Sequence, residues 1–241
     1  MNTGNARRIQ PMRALRALGR ILRNPNDTEQ VFEILGAMGG RAIWRRTVDL
    51  RRTDKGSALL DAQPNLMEAL HGTTVDDFAP GTLGRAYHEF LLSEGITTDG
   101  LVAVSDASTE NLSDDTLYLS ERMTKSHDLW HVIAGYEGDL VGEAALLAFT
   151  YAQVRNPGIL LLVGTLYITA AGKLGARPVI RDAYRRGKAA RDFVGFHWEQ
   201  ALHRPLSEVR AQLGVGEPPQ YRRIRAEQLG PRGLLGPVPV A

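Results

Sequence analysis

Apolar residues recur at three- and four-residue intervals along almost all of this 241-residue chain, and no stretch alternates apolar and polar positions between hairpin turns. A 3.6-residue repeat gathers such positions on one side of a helix, whereas a strand needs period two, so the pattern predicts an all-α fold. Proline and glycine divide it. A first helix over about 11–23, with Met12, Leu15, Leu18 and Leu22 at helical spacing, should stop at Asn24-Pro25. A second should start near Asp27 or Thr28, bury Val31, Ile34, Leu35 and Met38, end at Gly39-Gly40 and form a hairpin with the first. The Arg-rich stretch 41–60 is only weakly periodic and predicts short helices and turns. Helices follow over about 65–71 and 82–95, the latter with Leu83, Tyr87, Phe90 and Leu91 facing inward. A polar bridge spans 96–120. Two strongly apolar segments, Asp139 to Tyr151 and Gly158 to Ala171, are parted by Arg155-Asn156-Pro157 and form a helical pair able to line a long apolar ligand. A last helical region covers about 179–213. The organisation expected is a single helical domain over 1–213 and a Pro-rich extended tail over 214–241.

The chain has no cysteine, which removes disulfides, thiolate zinc sites and iron–sulfur clusters and leaves only nitrogen and oxygen ligands for any metal. Charge is uneven. Residues 1–52 hold eleven arginines against four acids, whereas 53–214 hold fourteen bases against twenty-one acids. The basic N-terminal arm could face anionic lipid or nucleic acid, and composition alone does not choose; nucleic acid is disfavoured because beyond Trp44 aromatic residues are not interleaved with its arginines. No stretch reaches the ~20 apolar residues that span a bilayer. Six arginines and no acid in the first 26 residues superficially suit an organellar transit peptide, but an ordinary helix with a basic face accounts for them as well. The placement expected is bacterial-type cytoplasm, peripheral at the inner membrane, with the matrix side of the mitochondrial inner membrane as the alternative.

The chemistry sits in His127-Asp128-Leu129-Trp130-His131. On a helix His127 and His131 are one turn apart and present two imidazole nitrogens to one point. Asp128, rotated ~100° from His127, can add an oxygen ligand only from the flank, or else orient an imidazole from outside the ligand shell. Glu143 would lie ~18 Å beyond His131 on a straight helix, so it can join only if the chain reverses. Gly135 and Gly138 allow that reversal, and Asp139 is suited to cap the next helix. His127, Asp128, His131 and Glu143 are therefore the candidate metal ligands and catalytic residues. Two imidazoles with one or two carboxylates suit Zn²⁺, Fe²⁺, Mn²⁺ or Co²⁺.

Two other chemistries fit less well. A zinc protease carries glutamate directly after the first histidine, where this chain has Asp128, too short to serve as its base. A His-Asp phosphohydrolase needs a further histidine and a remote aspartate. His88 and Asp182 are the candidates, and that reading leaves Glu143 unexplained.

His-Asp-x-x-His followed after eleven residues by Glu resembles the signature of the coenzyme Q biosynthesis protein 4 family. Similar segments are Asn24-Pro25 with Asp27-Thr28 and Val31-Phe32, Pro80-Gly81-Thr82-Leu83-Gly84 with Tyr87, and Trp198-Glu199 with Leu206 and Arg210 as a C-terminal helix; the likeness runs from about 12 to 213. The resemblance implies a membrane-associated helical protein that holds a metal, usually described as zinc, on His127, Asp128, His131 and Glu143. It implies oxidative decarboxylation of a polyprenylated 4-hydroxybenzoate, the action of a 4-hydroxy-3-methoxy-5-polyprenylbenzoate decarboxylase-like lyase. The alternative is a non-catalytic prenyl-lipid scaffold for quinone-biosynthetic enzymes. Expected partners are the prenylated ring, membrane-surface lipid, other quinone-biosynthetic proteins and a second copy of the chain, but no nucleic acid. Zinc does no redox chemistry itself, so an oxidative step would draw on the electron-rich ring, or on Fe or Mn. Near the motif, Arg122 and Lys125 are candidates for an anionic head group.

Overall fold

The computed structural model describes residues 9–23, 29–95, 112–169 and 175–225. Regular structure there is helical throughout: α1 (Pro11–Ile21), α2 (Glu29–Arg51), α3 (Asp54–Ala62), α4 (Leu66–Leu70), α5 (Leu83–Glu94), α6 (Asp114–Lys125), α7 (His127–Ala134), α8 (Leu140–Val154), α9 (Pro157–Thr169), α10 (Arg177–Ala189) and α11 (Leu206–Leu213). The all-α expectation holds. So do the limits of α5, where the Thr82 side chain caps the first turn and Gly95, at φ 67°, ends the last. Leu83, Tyr87, Phe90 and Leu91 are all buried.

α2 does not stop at Gly39-Gly40. It runs on to Arg51 and buries Ala42, Ile43, Thr47 and Leu50 on the way. Gly39 is a contact rather than a terminator: a Cβ there would lie 2.4 Å from Asn156 Nδ2. Asn156 accepts a hydrogen bond from Gly158 N at 2.7 Å and so caps α9. The missing side chain lets α2 lie against that cap, which offsets the ~1 kcal/mol by which a mid-helix glycine is disfavoured relative to alanine.

α1 lies antiparallel on α2, with Gln10 N donating to Ala37 O and Arg13 paired with Glu33. The helix junction expected at Asn24-Pro25 and Asp27-Thr28 falls outside the described residues. The face of α1 also differs from the sequence expectation. Ala14 and Ala17 point inward, flanked by Leu18 and Ile21, while Met12, Leu15 and Leu22 are exposed. Small alanines allow the two helices to approach closely, and the leucines beside the arginines are left facing solvent.

The main core gathers α5, α7, α8 and α10 around Tyr87, Trp130, Phe149, Phe193 and Trp198. Residues 179–213 are not one helix. After α10 an irregular segment carries Phe193 and Trp198 into the core, and Trp198-Glu199 sits at a short 3-10 turn, separate from Leu206 and Arg210 on α11. That segment also completes α5, because Leu83 N and Gly84 N donate to Arg204 O and Leu202 O. Arg122 is not free for a head group. Arg122, only 2% exposed, binds Glu199 through both Nη atoms at 2.5 and 2.9 Å, and Lys125 pairs with Glu121. The chain after Gly214 has no regular secondary structure up to residue 225 but is held down: Val215 and Ile224 are buried, and Arg186 donates to Val215 O and Glu217 O.

Candidate metal centre

α6 leads almost directly into α7 through one non-helical residue, the buried Ser126, so α7 begins at His127 itself. The helix ends at Gly135, whose φ of 76° turns the chain back. Proximity adds a second requirement for glycine there, since a Cβ would lie 2.6 Å from Pro218 Cβ. Asp139 then caps α8, its Oδ1 accepting from Val141 N at 3.0 Å, and Glu143 falls in the first turn. This is the reversal that the spacing demands.

His127, His131 and Glu143 each bring one ligand atom into a group in which all three lie within 4.8 Å of one another. His131 Nε2 is 3.2 Å from Glu143 Oε1, and His127 Nε2 is 4.0 Å from Glu143 Oε2. The two rings meet edge to face at 4.7 Å between centroids. Asp128 stands to the side. Its Oδ1 lies 3.3 Å from His127 Nδ1, where it sets the tautomer and rotation of that ring.

The His131 side chain is 1% exposed and stacks on Phe90 with centroids 5.2 Å apart. Its Nδ1 donates to Tyr136 O at 3.0 Å, which leaves the lone pair on Nε2. That buried Nε2 makes no hydrogen bond, yet it faces the carboxylate oxygen of Glu143. Two lone pairs opposed at this separation call for a positive charge between them. The charge on the donor set agrees. Burial alone would lower the His127 pKa, but the Asp128 and Glu143 carboxylates outweigh it and hold the imidazolium form above its ordinary range. Burial likewise pushes the Glu143 carboxyl up, but once a proton sits on His131 Nε2 the hydrogen bond and charge of that ring, and then the charge of His127, outweigh burial and hold it down. A field that favours a proton also favours a divalent cation. The residues present therefore fit a metal held by two nitrogens and one oxygen, and this group could hold one. The side chains of His127 and Glu143 are 43% and 45% exposed, so further positions on such an ion would face outward.

The other sequence candidates lie elsewhere. His88 Nε2 is 3.1 Å from Thr73 Oγ1 and its ring stacks on Phe78, while Asp182 pairs with Arg185 on the surface of α10. Tyr87, which the spacing marks only as an inward-facing core position, is a buried neighbour of Asp128. Its hydroxyl has no hydrogen-bond partner, and burial together with the charge of Asp128 raises its pKa.

Residues 10–219 match the family model described as coenzyme Q (ubiquinone) biosynthesis protein Coq4. The chain belongs to that family. It is 26% identical over 213 residues to the mitochondrial ubiquinone biosynthesis protein COQ4 of Lachancea thermotolerans, covering 85% of this chain and 63% of the relative. It is 30% identical over 192 residues to the protein of that name from Eremothecium gossypii, covering 75% and 57%. It is 29% identical over 203 residues to the mitochondrial COQ4 homolog of Danio rerio, covering 82% and 73%. The chain thus spans about six tenths of the length of these fungal Coq4 proteins. A crystal structure of a candidate ubiquinone biosynthesis protein from Nostoc punctiforme PCC 73102 superposes with a TM-score of 0.64 at 21% identity, covering 87% of this chain and 100% of that one, and it supports the fold.

Proposed function

We propose that this Coq4-family chain performs, at a membrane surface, the step of ubiquinone biosynthesis that replaces the C1 carboxylate of a polyprenylated 4-hydroxybenzoate with a hydroxyl. The observation that carries the reading is the unpaired, buried Nε2 of His131 facing Glu143 Oε1 beside His127. A divalent cation bound there, Zn²⁺ or else Fe²⁺, Mn²⁺ or Co²⁺, would supply Lewis acidity toward a phenolate or carboxylate oxygen. The residues do the rest. His131, locked by Phe90 and Tyr136 O, fixes one donor; Asp128 orients His127; Glu143 brings a donor from the facing helix. In the overall conversion the ring–carboxylate bond breaks and carbon dioxide leaves. One atom of dioxygen becomes the ring hydroxyl and the other leaves as water, with two electrons from an external reductant.

The surface supports an interfacial location. No helix among the described residues is long and apolar enough to cross a membrane. Of the eight large apolar side chains exposed among those residues, Ile9, Met12, Leu15 and Leu22 lie on or beside α1, and Leu160 and Ile168 lie on α9. On α1 and the turn after it the exposed Arg16, Arg20 and Arg23 run alongside that apolar stripe, an arrangement suited to anionic head groups above and acyl chains below. α9 carries no charge from Pro157 to Thr169 and packs on α8, the helix of Glu143, so it offers a prenyl chain an apolar course toward the site. We assign this surface to the inner face of a bacterial membrane or of its mitochondrial counterpart, the latter being the compartment in the relatives' names.

Two measurements test the reading. Metal-loaded chain given a short-chain prenylated substrate, dioxygen and a two-electron donor should release carbon dioxide and the hydroxylated ring. No product with any of the four metals, alongside retained binding of the prenylated ring, would make the chain a lipid-binding scaffold instead. Separately, the double substitution Met12→Glu and Leu15→Glu should reduce co-sedimentation with anionic vesicles by about tenfold or more, since each buried apolar side chain contributes roughly 1.5–3 kcal/mol. Undiminished sedimentation would place the membrane contact elsewhere.

A further inference from the structure

One peptide unit in the reversal joins the ligand histidine to a buried carboxylate. The carbonyl of Tyr136 accepts the Nδ1 proton of His131 at 3.0 Å. The N–H of the same peptide, that of Glu137, donates to Tyr221 Oη at 2.9 Å, and Tyr221 Oη donates to Asp139 Oδ2 at 2.9 Å. Every donor and acceptor along this line is satisfied in one direction, from the imidazole toward the carboxylate. Asp139 is buried, and its other oxygen accepts from Val141 N and from Ile224 N, so the carboxylate is fully engaged where the line ends.

The geometry points to Tyr221 and Asp139 as positioning residues that fix and polarise the metal-ligating His131 through the Tyr136–Glu137 peptide. The inference rests on the metal reading of His127, His131 and Glu143. It deepens that reading by assigning to Tyr221, in the irregular segment just past the residues 10–219 that match the family model, the hydrogen-bonded line that holds the far side of the His131 ring.

The physical case has three parts. A carboxylate that pulls on a histidine N–H raises the donor strength of the opposite ring nitrogen, and here the pull passes through a tyrosine and a peptide, which polarise one another in series. The line is also a clamp. Tyr221 Oη ties Glu137, before the turn into α8, to Asp139, the N-cap of α8, so the angle at which Glu143 meets the histidines depends on it. Finally, the approach is built in. A Cβ on Gly142 would lie 2.6 Å from Tyr221 Oη and 2.0 Å from Glu137 O, so glycine next to Glu143 makes room for the hydroxyl.

The test is a Co²⁺ titration of the metal-free full chain, read as a dissociation constant and as the visible absorption of the bound ion. The imidazole Nδ1–H proton resonance of His131 is followed in parallel. Tyr221→Phe should weaken Co²⁺ binding about tenfold, the lower end for loss of an outer-shell partner, change the absorption band and move the Nδ1–H resonance. Asp139→Asn keeps a competent helix cap but removes the charge, and should act in the same direction; it carries the test should Tyr221→Phe fail to fold. Arg223→Ala removes the exposed Arg223–Glu137 pair on the same segment and should leave all three readouts unchanged. Native-like Co²⁺ affinity and spectra in both Tyr221→Phe and Asp139→Asn would overturn the inference while leaving the metal site standing. Failure of the unsubstituted chain to bind Co²⁺ would overturn the site and the inference together.

Discussion

Replacing Glu199 with alanine should lower the free energy of unfolding by about 3–5 kcal/mol, the range for stripping the partner from a buried charge. Arg122 is 2% exposed and Glu199 14%, and the pair is bidentate, so alanine would strand a guanidinium in the core with no anion. The remaining contacts would not compensate. Phe196 O at 2.8 Å and Tyr118 Oη at 3.2 Å are neutral and already accept from Arg122. Because Arg122 joins α6 to the segment that holds Phe193 and Trp198, the loss would spread into the wall behind α7. Urea denaturation measures it, and a loss under about 1 kcal/mol would mean that water reaches the guanidinium.

Removing either histidine of the metal centre should reduce Zn²⁺ or Co²⁺ affinity by more than the ~10–100-fold typical of an outer-shell change. The two substitutions should differ in the metal-free protein. His127 is 43% exposed, so His127→Ala should lose metal with little change in the unfolding midpoint of the apo chain. His131 is buried, stacks on Phe90 and satisfies Tyr136 O, so His131→Ala should lose metal and also destabilise the apo chain by about 2 kcal/mol or more, through a cavity and an orphaned carbonyl. Equal metal affinity in His127→Ala and the unsubstituted chain would remove that histidine from the donor set.

What the sequence made legible was local. The cap at Thr82 and the stop at Gly95 are read from residue type, and the approach of His127, His131 and Glu143 follows from helical rise plus a glycine turn. Misreadings arose where a residue answers to a distant neighbour. Gly39 looks like a terminator until Asn156 is seen against it, and the leucines of α1 look like a buried face until Ala14 and Ala17 prove to be the close contact with α2. Asp128 could not be divided between ligand and orienting roles by spacing, and its place at His127 Nδ1 emerges only with side chains in position. Tyr221 was illegible altogether, since nothing in an irregular Pro-rich segment announces a hydrogen bond to Asp139 eighty-two residues away.

The reversal at Gly135 has a bearing on the order of events during folding. All the donors fall within residues 127–143, so bringing them together closes only a short loop, and closure entropy rises slowly with loop length at about 0.6 kcal/mol per doubling. The α7–α8 hairpin with its donor set is thus the low-contact-order part of the site. The Tyr221 clamp must close a loop several times longer and wait for α10 and α11 to dock. A chain still lacking its C-terminal residues already holds every donor atom of the cluster, and the segment that aligns them arrives last.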